Sequence, residues 1–311
     1  MDFFSMLLIV LGLMLFETVS SIDNAVINAE VLSTMGKKAQ RFFLTWGIFF
    51  AVFLVRGLLP WLIVFVTVPT LGFLGSFTAT FSNDPNVAQA IQSSAPILLL
   101  GGGIFLLFLF LHWLFLEPKH FGLRGESFFL RQGAWFYAAV SMLLMLVVWF
   151  AMKLDPLLAF GAVVGSTAFF ITHGFRQHAE ETERRMMGNT AMSDVSKIMF
   201  LEVIDMSFSI DGVLGAFAFT LSVPLILLGN GIGAVMVRQL TMANIERVKK
   251  YVFLKNGAMY SVFFLGLVMV SDAFGVHVPE WFAPAITFFI IGYFFHLSRQ
   301  HLMLDNGLRA V

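Results

Sequence analysis

Long apolar stretches recur along this 311-residue chain: Phe3 to Leu32, Phe42 to Val68, Pro96 to Leu116, Ala134 to Met152, Leu157 to Phe175, Ile198 to Leu221, Pro224 to Ala243, Gly257 to Ala273 and Ala283 to Leu302. Each is long enough to cross the roughly 30 Å hydrocarbon core of a bilayer as a helix. The pattern therefore predicts an all-α polytopic membrane protein of about nine helices, with seven as the lower count. A composition of 59% hydrophobic and 12% charged residues leaves too little charge to coat a soluble fold. The N-terminus reads MDFF with no basic residue before the apolar run, so the first span is expected to be kept rather than cleaved as a signal peptide.

The connections alternate in charge. Lys37, Lys38 and Arg41 follow the first stretch, Lys119, Arg124 and Arg131 the third, Arg176, Arg184, Arg185 and Lys197 the fifth, and Arg247, Lys249, Lys250 and Lys255 the seventh. The intervening connections hold only Lys153. Basic loops stay in the cytoplasm, which puts the N-terminus outside and the C-terminus, with Arg299 and Arg309, inside.

Against this apolar background two segments carry acids: "FETVSSIDNAVINAE" from Phe16 and "LEVIDMSFSIDGVLGAF" from Leu201. Aligning SIDN on SIDG places Glu17 on Asp205, Ser21 on Ser209 and Asp23 on Asp211. An arginine follows each copy in the next span, Arg56 after the first and Arg238 after the second. The first motif helix runs inward and the second outward, so the copies are related by an inverted-repeat axis in the membrane plane, as in secondary transporters with a site near mid-depth. A single domain over 1–311 then divides into a first repeat, 1–116 (motif helix 3–32, arginine helix 42–68), linker helices, 134–175, and a second, inverted repeat, 198–302 (motif helix 198–221, arginine helix 224–243).

At about 100° per residue, Glu17, Ser21, Asn24 and Asn28 form one stripe and Asp23 lies off it, as Asp211 lies off the stripe of Asp205 and Ser209. This predicts that both motif helices break around Ser-Ile-Asp, with Gly212 easing the second break.

Five acids, Glu17, Asp23, Glu202, Asp205 and Asp211, face two cations, Arg56 and Arg238. Protons or a metal cation can compensate the surplus, and their competition for the same carboxylates is a basis for exchange. The ligand set is all oxygen: these carboxylates, the Asn24 amide, and the Ser21 and Ser209 hydroxyls. It suits hard divalent ions such as manganese, calcium or magnesium. The absence of cysteine removes thiolate sites and cysteine nucleophiles. A net formal charge of zero gives no reason to expect nucleic acid.

The remaining features carry bland readings. "RQHAEETERRMM" from Arg176 reads as a solvated cytoplasmic helix, and "FTATFSNDPNVAQAIQSS" as a surface loop. His112, His173 and His296 read as interfacial histidines. "LLGGGIF" and "GNGIGA" let helices approach closely.

"ETVSSIDNAV", "KKAQRFFLTWGIFFAVFLVRGLLP", "FLEVIDMSFSIDGV" and "GNGIGAVMVR" resemble the TerC family of integral membrane proteins, and more closely its uncharacterised bacterial relatives in the LysE transporter superfamily. The resemblance covers the motif and arginine helices. It implies manganese efflux and metal homeostasis, and carries over to Glu17, Ser21, Asp23 and Asn24 in the first copy and Asp205, Ser209 and Asp211 in the second, with Glu202 at a preceding carboxylate position. Gly212 departs from the hydroxyl residue common there, and nine spans exceed the family's usual seven.

The combined expectation is a transporter, not an enzyme, that exchanges manganese for protons across the bilayer. The alternatives are a non-transporting metal-binding partner and an intramembrane aspartyl protease using Asp23 and Asp211.

Overall fold

The computed structural model describes residues 3–47, 50, 58, 61, 65, 71–81, 85–119, 122–123, 125–187, 193–243 and 248–308. Among them there are helices and no strand. In chain order they are α1 (Phe3–Ser20), α2 (Ile22–Ser33), α3 (Lys37–Phe42) with a π-helical turn Phe43–Gly47, α4 (Gly72–Phe81), α5 (Pro85–Leu116), α6 (Glu126–Arg131), α7 (Trp135–Leu154), α8 (Pro156–Met187), α9 (Asp194–Ala216), α10 (Val223–Ala243), α11 (Leu254–Ala273) and α12 (Phe282–Leu308). Seven of the described helices are long and apolar enough to cross a bilayer: α1, α5, α7, α8, α10, α11 and α12. This is a multi-pass membrane protein. Predicted spans four, five and nine are all present, as α7, α8 and α12. The expected sixth span is helical as α9, which carries Glu202, Asp205 and Asp211 and is more charged than the crossing stretches of these seven. Most of the stretch 42–68, with Arg56, lies outside the described residues. The segment expected as a surface loop after Pro69 is instead helical at both ends, as α4 and the start of α5.

Glycines set how the helices cross. A Cβ added at Gly161 would lie 2.6 Å from the Ile97 carbonyl oxygen, and one at Gly165 would fall on the carbonyl of Gly101, so α5 and α8 touch backbone to backbone. Lipid gives little drive for association, so such close approach supplies the packing. Further along the same pair, Phe105 and Phe108 pack on Phe169, and His112 meets His173, so α5 and α8 run parallel. On the other side of α5, Gly103 meets Gly266 and Phe110 meets Phe263 and Tyr260, an antiparallel pairing with α11. Gly229 on α10 meets Leu13, and Gly233 meets Glu17, so α1 and α10 are parallel.

Contacts between the two motif segments run the opposite way: Gly212 faces Glu17, Gly215 faces Phe16, and Phe219 faces Gly12. The polar helices are antiparallel neighbours. At the periphery, α7 exposes Trp135 and Tyr137 near its start and Trp149 near its end, with Lys153 over the Trp149 ring at 5.1 Å. Aromatic and basic residues at helix ends suit the membrane–water boundary.

Of the two predicted helix breaks, one is present. Ser21 separates α1 from α2 with φ −90° and ψ 6°. The chain bends there without unwinding, because the Ser21 N–H still donates to the Glu17 carbonyl (3.1 Å) and its carbonyl accepts from Ala25 (2.9 Å). The second break does not exist: α9 is continuous from Asp194 to Ala216. The off-stripe direction of Asp211 needs no break because a different neighbour, α8, receives it.

Candidate functional site

Glu17 ends the apolar run of α1 and is 1% exposed. Two glycines make its seat. A Cβ at Gly212 would lie 2.6 Å from Glu17 Oε2, and one at Gly233 would lie 2.7 Å from Glu17 Cβ. Gly212 is therefore a seat for a carboxylate, where the sequence suggested a hinge. One turn later, at the bend, Ser21 Oγ donates to Glu17 Oε1 at 2.6 Å.

Asp205 is the centre of a second group. Asn24 and Asn28, one turn apart on α2, each donate from Nδ2 to its Oδ1, at 2.7 and 2.9 Å. Arg238 of α10 reaches Oδ2 with Nη2 at 3.6 Å, and its guanidinium lies 4.4 Å above the Phe43 ring. The Glu202 carboxylate packs against Gly47, and a Cβ on that glycine would also be 3.2 Å from Arg238 Nη2. Two amide hydrogen bonds and the nearby guanidinium charge together stabilise this buried anion. Among the described residues the Oδ1 atoms of Asn24 and Asn28 have no hydrogen-bond partner. Ser209, by contrast, donates its hydroxyl to the Asp205 carbonyl at 2.6 Å, within its own helix.

Asp211 belongs to neither group. Arg176 Nη2 lies 2.6 Å from its Oδ2. Both side chains line a cavity of about 710 Å³ that extends from Phe16 and Ile22 to Glu117 and Lys255, with His112 and His173 on its wall. The two imidazole rings are 3.9 Å apart, and Glu117 pairs with Lys255 at the far end. His112 and His173 thus line this cavity, whereas His296 is exposed.

The acids are accordingly divided between Glu17 with Ser21, Asp205 with Asn24, Asn28 and Arg238, and Asp211 with Arg176. Among the described residues no three His, Asp or Glu side chains gather closely enough to hold a metal ion. The Asp23 side chain and Arg56 lie outside the described residues. Arg176 corrects the charge count. It was assigned to a solvated helix, yet the buried stripe Ala162, Phe169, Thr172 of α8 continues directly to it at helical spacing. Gln177, His178 and Glu181 beyond it are exposed, as expected of that segment. Asn28 was visible on the stripe of Glu17 and Asn24. Asn230, whose Nδ2 donates to the Gly212 carbonyl at 3.4 Å, lies within "GNGIGA", where the glycines drew attention away from it.

Comparison with known proteins gives a family. Residues 22–302 match the model of the family described as protein of unknown function (DUF475). The chain belongs to the DUF475 family. The match takes in α2 with Asn24 and Asn28, and α8, α9 and α10 with the rest of the polar residues apart from Glu17 and Ser21. This DUF475 protein is also 29% identical over 83 residues to the "Uncharacterized membrane protein YceF" of Bacillus subtilis (strain 168), a match over 27% of this chain and 32% of that one. It spans less than a third of the length of that curated relative. No solved structure matches.

Proposed function

We propose that this DUF475 protein is a secondary transporter of divalent cations, carrying manganese out of the cytoplasm in exchange for protons, with calcium and magnesium as the next candidates. The observation that carries the reading is the burial of Glu17 and Asp205, at 1% and 6% exposure, between antiparallel motif helices inside an apolar bundle. Ionisable groups in such a place are costly and mark ion pathways in membrane proteins. Their oxygen chemistry suits a hard cation, and the antiparallel contacts of α1 and α9 suit an inverted repeat.

In this reading Glu17, Asp23, Asn24, Asp205, Asp211 and Glu202 supply ligands, with Ser21 and Ser209 acting through water, and Arg56 and Arg238 balance charge. On this reading the three separate groups must draw together around the ion. The resemblance to the TerC family supports manganese, and the basic connections support a cytoplasmic C-terminus in the bacterial inner membrane. The cavity that ends on Asp211 then opens inward. The pairing of Asp211 with Arg176 speaks against the aspartyl protease, whose two acids share a proton.

Thermal unfolding of the purified protein across manganese, calcium, magnesium and zinc tests the reading. Binding to the folded state raises the midpoint by mass action, by about 2.7 kcal/mol at a hundredfold excess over Kd. Manganese should stabilise most and zinc least, and Asp205→Asn should abolish the effect. No stabilisation by any of the four overturns it. Stabilisation without transmembrane flux favours the non-transporting partner.

A further inference from the structure

We infer that Arg176 competes with the transported cation for Asp211: its guanidinium pairs with that carboxylate and must be displaced when the ion binds. The inference rests on the cation-carrier reading above and assigns a role to a residue outside the motif helices. Four observations lead to it. Arg176 Nη2 stands 2.6 Å from Asp211 Oδ2, where an incoming ion would sit. Arg176 is carried by α8, a different helix from either motif segment, so the contact can part without breaking a motif helix. The cavity of about 710 Å³ adjoins both side chains and gives the released guanidinium polar room toward Gln177 and Glu117. The Asp211 Oδ1 atom, with no hydrogen-bond partner among the described residues, is left to a ligand while Oδ2 is held.

The physical consequence is competition. A buried carboxylate stripped of its cation carries an uncompensated charge, which is costly in a low-dielectric interior. A side-chain cation lifts that cost in the empty state and lowers the apparent affinity for the substrate by the work of breaking the pair. Removing it should therefore tighten binding, whereas removing an ordinary structural residue should not.

The test is manganese(II) titration of the purified full chain by calorimetry, with monodispersity checked for each variant. Arg176→Gln should lower the Kd for manganese about tenfold, equivalent to about 1.4 kcal/mol. Arg176→Lys, which keeps a charge on a shorter reach, should fall between and serves if the glutamine variant does not fold. In an Asp211→Asn background, Arg176→Gln should change nothing. Phenylglyoxal should modify Arg176 faster with manganese bound than without. Equal or weaker manganese binding by both Arg176 variants, with wild-type binding intact, overturns the inference and leaves the carrier reading standing. Absence of manganese binding in the wild type and in every variant overturns both.

Discussion

Removing the Asp205 carboxylate should cost more stability than any other single polar truncation in the motif helices. In Asp205→Ala, the Arg238 guanidinium, whose side chain is 9% exposed, loses its anion, and the amide groups of Asn24 and Asn28 lose the acceptor they share. Stripping one partner from a buried ion pair costs about 3–5 kcal/mol, and orphaned amide donors add about 1–3 kcal/mol each where nothing replaces the acceptor. Glu202, packed against Gly47 beside Arg238, can take over part of the guanidinium charge. The net loss should therefore be about 4 kcal/mol. SDS titration of the protein in mixed micelles, followed by circular dichroism, reads it. Adding Arg238→Gln to Asp205→Ala should recover about 1–3 kcal/mol, because the second change removes the stranded cation. A loss below about 1 kcal/mol, with no coupling between the two positions, would refute the idea that this pair is buried and mutually dependent.

Other perturbations probe separate parts of the bundle. Gly165→Ala places a methyl on the Gly101 carbonyl, so α5 and α8 must part, at a cost of about 1–3 kcal/mol in the same titration. Glu126, 2% exposed, accepts on Oε1 and Oε2 from Asn256 Nδ2 at 3.1 and 2.9 Å and ties the connection after α5 to α11; Glu126→Ala should lower stability by about 2 kcal/mol and speed proteolysis of that connection, while Glu126→Gln should cost less. Burial holds the Lys119 ammonium below the ordinary lysine value of 10.5. The unfolded chain binds more protons between the lowered value and 10.5, so stability should rise with pH across that alkaline window, and Lys119→Met should flatten the rise in a pH series of thermal melts.

The sequence exposed what depends on bulk hydropathy and missed what depends on which neighbour a side chain meets. Runs of 17 or more apolar residues leave a chain in lipid few options, so the membrane-crossing parts of α5, α7, α8, α10, α11 and α12 could be placed within a few residues, whereas the polar extensions of α5 and α8 beyond them could not. The bend at Ser21 was legible because Glu17, Ser21, Asn24 and Asn28 form a stripe that Asp23 leaves. The same rotation applied to Asp211 misled, since a helix can turn its second acid toward another helix without breaking. That helix carried Arg176, which appeared in the sequence only as the first residue of a charged run. Gly212 misled in the same way: glycine next to Asp reads as a flexible point, but the space it leaves is filled by Glu17 from a helix 195 positions earlier in the chain. Packing partners at such separation have no local signature. The pairing of Asp205 with Asn24 and Asn28 was half legible, as a shared polar face whose opposite number only the fold supplies.

The most direct measurement is manganese flux into and out of liposomes reconstituted with the purified protein, read with a trapped manganese-quenched dye and a pH-sensitive dye in parallel. Wild-type protein should move manganese with opposing proton movement, and Asp205→Asn and Asp211→Asn, folded by circular dichroism, should each reduce the flux at least about tenfold, since even the partners of a ligand cost about 10–100-fold when removed. Flux that persists at wild-type rate in both variants, or no manganese movement through the wild-type protein in either direction, would contradict a carrier built on these buried acids.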